Sequence, residues 1–262
     1  MGAFLTTFLF LQIILLFLYK SFIVDVAKKN EKNLVENTLQ IYHNTMESVL
    51  ERLDDNLDLL LGCRLYLAQL NGENNLEKVK AQHQMLQILK ERCKDTKEAD
   101  AYAIVNCKDN SILIQRNGNI TYDTIKDIKK YLQKRNTFDK TPTSGWTSTV
   151  MGEQVYLVKY YNYGANTIAV LISEKRLDSL LNYNDMSIKE AAFYLTDKKG
   201  KILCGSGEDW TYGEAIENLQ KQDPSISIYR GSVLEDAYQM YYSVKSSEYA
   251  AYSTSGIVIF GF

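Results

Sequence analysis

Proline is nearly missing from this chain, with two in 262 residues, and 45% of the sequence is hydrophobic. That composition excludes collagen-like and low-complexity chains and describes packed protein, with length enough for two domains. Histidine is as scarce as proline, with only His43 and His83, and the four cysteines are scattered. Little is left for a transition-metal centre or a histidine-based catalytic site. A basic surplus is missing too: 30 Lys and Arg face 32 Asp and Glu, a formal net charge of -2. Without a global positive field the chain is not expected to bind nucleic acid.

What is present begins at the first residues. Ala3 to Tyr19 runs AFLTTFLFLQIILLFLY without a charge and continues past Lys20 into Phe22, Ile23 and Val24. These 22 residues, at about 1.5 Å of rise each, match the roughly 30 Å of a bilayer's hydrocarbon, with Lys20 placed to snorkel. A cleaved signal peptide would need a basic leader and a small-x-small cleavage site. Neither is legible, so an uncleaved anchor is expected. Lys20, Lys28, Lys29 and Lys32 follow the run and no cation precedes it. Taken alone, this asymmetry would place the next region inside the cell. The final GIVIFGF, Gly256 to Phe262, reads as the start of a second span or as an apolar tail packed on the domain; we expect the first.

From Ser21 to Leu61 there is neither Gly nor Pro, and apolar residues fall at Val35, Leu39, Tyr42, Met46, Val49, Leu53, Leu57 and Leu60. Spacings of three and four predict one long helix with a single apolar stripe. The stripe packs on its own domain, pairs with a second copy, or does both along its length. After Gly62 and the break Asn71-Gly72-Glu73-Asn74-Asn75 a second helix is expected from Leu76 to Lys94. The period then changes. Strands are expected at Ala101 to Val105, Ile112 to Gln115, Trp146 to Val150, Gln154 to Tyr161 and Thr167 to Ser173, with helices at Tyr122 to Arg135 and Glu174 to Leu181. A further helix near Glu214 to Lys221 and strands near Ile226 to Tyr229 and Ala237 to Val244 follow. Ala103 to Leu113 aligns without a gap on Phe193 to Leu203, each an apolar strand, a polar turn and a return through Ile-Leu. Two tandem α+β modules are the economical reading.

An anchor, a long helix, a larger strand-rich module, a linking helix, a smaller module and the hairpin Asp197-Lys-Lys-Gly200-Lys-Ile-Leu203 together resemble the double Cache, PAS-like sensor regions of bacterial transmembrane receptors. The resemblance spans about Ser21 to Ser253. It implies an α+β fold: a transmembrane helix continuing into a stalk helix, then two antiparallel-sheet modules. The expected divisions are an anchor at 1–24, a stalk at 25–70, a membrane-distal module at 71–185, a membrane-proximal module at 186–253 and a truncated second span at 254–262. It also implies a sensor outside the cell, a small ligand such as an amino acid, amine or organic acid, and an output domain of AraC, histidine kinase or methyl-accepting type beyond a second span. Two departures stand against an amino-acid specificity. Ser144-Gly145 precedes Trp146 where the amino-acid-binding form has an Arg, and the last distal strand ends in Ser173-Glu174 rather than Asp.

Within Gln154 to Tyr161 alternate residues share a face, so Tyr156, Val158 and Tyr160 look one way and Val155, Leu157 and Lys159 the other. Trp146, Tyr156 and Tyr160 are the ligand-binding candidates, because aromatic walls with polar tips bury and orient small molecules. The other reading makes them sheet core, which nineteen tyrosines render easy. Tyr102 and Arg116, near the first hairpin, are further candidates. His43 and His83 are expected as solvated helix residues, and the cysteines as reduced and buried. Gly205-Ser206-Gly207 is read as a turn, Asp54-Asp55 as stalk surface, and the sequon Asn119-Ile120-Thr121 as relevant only in a secreted eukaryotic protein. No cofactor, metal or catalytic constellation is expected. The function anticipated is extracytoplasmic small-ligand sensing by a membrane-bound homodimer joined through the stalk. The alternative is a membrane-tethered structural or protein-interaction module without a ligand; an enzyme ranks behind both.

Overall fold

The computed structural model describes residues 2–118, 120–136, 145–181, 191–206, 210–234 and 238–245. The expected second span at 254–262, Asn119 of the sequon, Ser144 and Gly207 lie outside them. Helix α1 (Gly2–Gly62) is continuous, so the segments expected as anchor and stalk are one element. Its length is about 90 Å at helical rise. It is long and apolar enough to cross a membrane, and its large apolar side chains from Phe8 to Val26 stand exposed. Beyond them the apolar stripe does what its spacing predicts: Val35, Leu39, Tyr42, Met46, Val49, Leu53, Leu57 and Leu60 are all buried.

The chain turns at Cys63 into α2 (Arg64–Leu70), then into α3 (Asn75–Asp95). Asn74 caps α3 by accepting the Leu76 and Glu77 N–H groups with its side-chain oxygen, which satisfies two of the donors a helix start leaves bare. Asn106 and Asn166 fasten α2 to the sheet beyond. Asn106 donates to Asn71 and Asn166, and Asn166 to the carbonyl of Leu67.

The first sheet contains β1 (Ala101–Asn106), β2 (Ser111–Arg116), β3 (Thr147–Met151), β4 (Gln154–Tyr163) and β5 (Asn166–Ser173), with α4 (Tyr122–Arg135) between β2 and β3. Its order is β2-β1-β5-β4-β3, antiparallel throughout. Helix α5 (Glu174–Leu181) leads toward the second sheet, made of β6 (Ala191–Asp197), β7 (Ile202–Gly205), β8 (Ile226–Leu234) and β9 (Tyr238–Lys245), with α6 (Ile216–Gln222) between β7 and β8. That order is β7-β6-β9-β8. It repeats the first sheet strand for strand, and among the described residues it has no counterpart of β3. The eleven-residue match falls on the same hairpin of each sheet, and Asn110 and Gly200, aligned in it, both adopt positive φ, 57° and 74°. Asn and Gly are the residues that take this conformation at least cost.

One apolar cluster joins the α1 stripe to both sheets, from Tyr102, Ile104, Leu157, Ile168 and Val170 in the first to Phe193, Leu195, Met240 and Tyr242 in the second. The opposite face of the first sheet packs on α4 through Ile128 and Leu132, and that of the second on α6 through Ile216 and Leu219. Two expectations are corrected. His43 is buried at 9% exposure, drawn in beside the stripe with Nε2 3.5 Å from Glu47, whereas His83 is exposed as expected. All four cysteines are free thiols, yet only Cys93 and Cys204 are buried, while Cys63 and Cys107 are half-buried because each sits at a turn.

Candidate functional site

The five residues singled out by sequence divide between the two faces of the first sheet. Tyr156 is buried and Tyr160 half-buried, on the α4 side with Val158, Ala169 and Leu171. The Tyr156 hydroxyl donates to Gln154 Oε1 at 3.1 Å. Burial, then the nearby Asp100, raises its pKa. Trp146 and Tyr102 lie on the opposite face, in the cluster shared with the stalk. Tyr102 is fully buried, bonded to Thr96 through its hydroxyl at 2.8 Å, and desolvation pushes its pKa to about 12. Trp146 is 3% exposed and its indole N–H has no hydrogen-bond partner among the described residues. Arg116 is exposed at the end of β2, with its guanidinium on the carbonyl of Ile120. The structure therefore brings Tyr156 and Tyr160 together and separates both from Trp146. The pairing register of β3 with β4 sets the split. Thr147 pairs with Val158 and bonds Tyr131 of α4, so its neighbour Trp146 turns toward the stalk.

Three features of the site were not read from the sequence. The first is a carboxylate at the end of β5. Asp100, just before β1, accepts the Ser173 N–H at 2.5 Å and faces Arg176 at 3.4 Å. It ties the start of β1, the end of β5 and the start of α5. The second is the stalk contact of β4. Asp54, expected on the stalk surface, receives the Lys159 ammonium at 2.5 Å and the Tyr161 hydroxyl at 3.0 Å. A lysine in an aromatic strand was the available signal, because a buried ammonium requires a partner.

The third is the junction between modules. Helix α5 contacts β4, β5 and β7. Glu174 accepts the Val155 N–H of the first sheet, and Asp178, one turn on, accepts the Gly205 N–H of the second at 3.1 Å. Burial and the neighbouring Glu174 raise the Asp178 pKa to about 6. Beside them the Cys204 thiol is pushed far up by burial, so it is an unreactive core group. A shallow cleft of about 260 Å³ lies at the outer edge of α4, lined by Asp127, Lys130, Tyr131, Lys134 and the β3–β4 turn. Among the described residues no group of three or more His, Cys, Asp or Glu could hold a metal ion.

This architecture is shared with solved structures. The periplasmic sensory domain of the Campylobacter jejuni chemoreceptor Tlp1 superposes with a TM-score of 0.53 at 8% identity, covering 82% of this chain and 96% of that one. The ligand-binding domain of the Pseudomonas aeruginosa PAO1 amino acid chemoreceptor PctB, in complex with L-Arg, gives 0.52 at 11% identity over 83% and 97%. The chain has the double Cache fold. No family model matches its sequence, and no curated protein matches it either. The Cache likeness thus rests on shape: a stalk shared by two sheets whose strand order repeats.

Proposed function

We propose that this chain is the extracytoplasmic ligand-sensing region of a membrane signal-transduction receptor. One observation carries the reading: a single helix runs from an apolar, bilayer-length segment through the cores of both Cache-like sheets. A ligand acts on such a device only through different affinities for two arrangements of sheet and stalk. The α4-covered face bearing Tyr156 and Tyr160 is the distal binding surface in this reading, and the Asp54–Lys159–Tyr161 contact transmits its displacement to α1. The occupant is a small molecule such as an amino acid, amine or organic acid. Chains pair through the stalk, where Leu34 and Ile41, seven residues apart, stay exposed. Catalysis forms no part of the proposal. Thermal-shift screening of the full chain in detergent micelles against these three ligand classes tests it; stabilisation by one class supports it, and silence across all three overturns it.

A second reading, a tethered interaction module without a ligand, is favoured by one specific observation. Ile128 and Leu132 of α4 share one buried apolar cluster with Tyr156 and Val158, so that face is occupied by the chain's own side chains. Under it, Tyr156→Ala lowers stability and leaves capture of a partner protein unchanged.

A further inference from the structure

The two modules share a strand order but not a cover. In the first, α4 spans fourteen residues; in the second, α6 spans seven. The shorter helix leaves open a cleft of about 590 Å³ on the α6 side of the second sheet, between the β6–β7 hairpin, α6 and the middle of β8 and β9. Its size falls in the range of small-molecule sites.

The polar groups in it are arranged by a built feature. Pairing of β8 with β9 shifts between Arg230 and Val233, so Gly231 and Ser232 bulge out opposite Met240. Bulges of this kind re-aim a side chain. Gln239, 5% exposed, fills the bulge and spends its whole amide there. Its nitrogen donates to the carbonyls of Gly231, Ser232 and Met240, and its oxygen accepts the Arg230 Nε at 2.9 Å. Gln239 thus holds the guanidinium at Nε, on an Arg230 that is itself exposed on β8. Tyr241, opposite Arg230 in the register, supplies the wall beside it. Lys198 and Lys199 of the hairpin also line the cleft, giving three cations against Asp197 and Glu217. Asp197 is already engaged by the backbone N–H groups of Lys199 and Lys201, at 2.8 and 2.9 Å.

We propose that this cleft is a second binding site, in the membrane-proximal module, for a small organic carboxylate. The planar fork of Arg230 receives the carboxylate, since two parallel N–H donors match its two oxygens. Lys199 adds charge at the mouth, and Tyr241 contacts the carbon skeleton. The proposal deepens the sensing reading and rests on it. Gly231 also touches Leu39 of α1, so a ligand that pulls on Arg230 pulls on the bulge and hence on the stalk.

The test measures the melting temperature and calorimetric affinity of the full chain in detergent micelles with acetate, lactate, succinate and inorganic phosphate. At least one carboxylate is expected to bind and stabilise. Arg230→Gln should weaken that binding roughly ten- to a hundredfold, the loss expected of a charged hydrogen-bond pair. Arg230→Lys, which keeps the charge and loses the fork, should fall between, and the unliganded melting temperature of each variant reports whether it is folded. Silence from all three carboxylates overturns the proposal, as does binding that Arg230→Gln leaves unchanged or binding of phosphate alone. The broader sensing reading falls only if amino acids and amines are silent as well.

Discussion

Lys159 Nζ on β4 lies 2.5 Å from Asp54 Oδ2 on α1, with the lysine side chain 11% exposed. With the Tyr161 hydroxyl on the same carboxylate, this ion pair forms a polar link in a largely apolar seam between α1 and the first sheet. Removing one partner leaves the other charge desolvated, which costs more than the intact pair contributes. Asp54→Ala is therefore expected to destabilise by about 2–3 kcal/mol. The double variant Asp54→Leu with Lys159→Met should recover most of the loss. Denaturant melts of the single and double variants check both outcomes.

Gly231 is the backbone point at which the second sheet meets the stalk. A Cβ there would collide with the Leu39 side chain and lie 3.0 Å from the Met240 carbonyl. Gly231→Ala should cost about 1–3 kcal/mol, as overpacking does. Leu39→Ala in the same background should relieve part of it, a coupling that a double-mutant cycle detects.

Asp178 makes the junction between modules sensitive to pH. Its folded pKa is raised to about 6 from the ordinary 3.8, by burial first and Glu174 second. Between these values the folded chain holds a proton that the unfolded chain has released. The stabilisation is fully present below pH 3.8 and is lost as pH rises through about 6. The melting temperature should therefore be higher at pH 5 than at pH 7.5, and Asp178→Asn should flatten that difference. Asp109, whose pKa is lowered despite some burial by its bonds to Lys78 and Ser111, acts in the opposite sense. Its stabilisation is lost as pH falls below the ordinary carboxylate range, outside this window.

The proposed pairing through the stalk makes a geometric prediction. Cysteines placed at the exposed Leu34 and Ile41 should cross-link between chains in membranes. A cysteine at Leu39, 5% exposed and turned into the sheet, should not. Changing Cys63 and Cys107 to Ser beforehand removes the two half-buried native thiols, and non-reducing gels read the result.

Most of the frame was legible because periodicity survives burial. The α1 stripe was named residue for residue, and α4 was placed at its observed ends, since its apolar face has an uninterrupted period and Thr121 caps it. The site was less legible. Trp146 and Tyr156 looked like neighbours in sequence, but their faces are set by pairing register, which alternation within one strand does not reveal. The cleft beside Arg230 was invisible for a related reason. It depends on a bulge and on a helix too short to cover its sheet, and the DKKG hairpin had been read only as a fold signature. His43 was misjudged because one step from a stripe is still within reach of a broad core.

Helix α1 has no glycine or proline between Ala3 and Leu61, so no joint interrupts it. A push received by Leu57 arrives at Leu39 and then at Val24 in the same sense. In the sensing proposal the two modules therefore act on one lever, and opposite pushes cancel along it. Under the sensing proposal, whatever reads α1 receives a sum, with the identity of each contributor already erased.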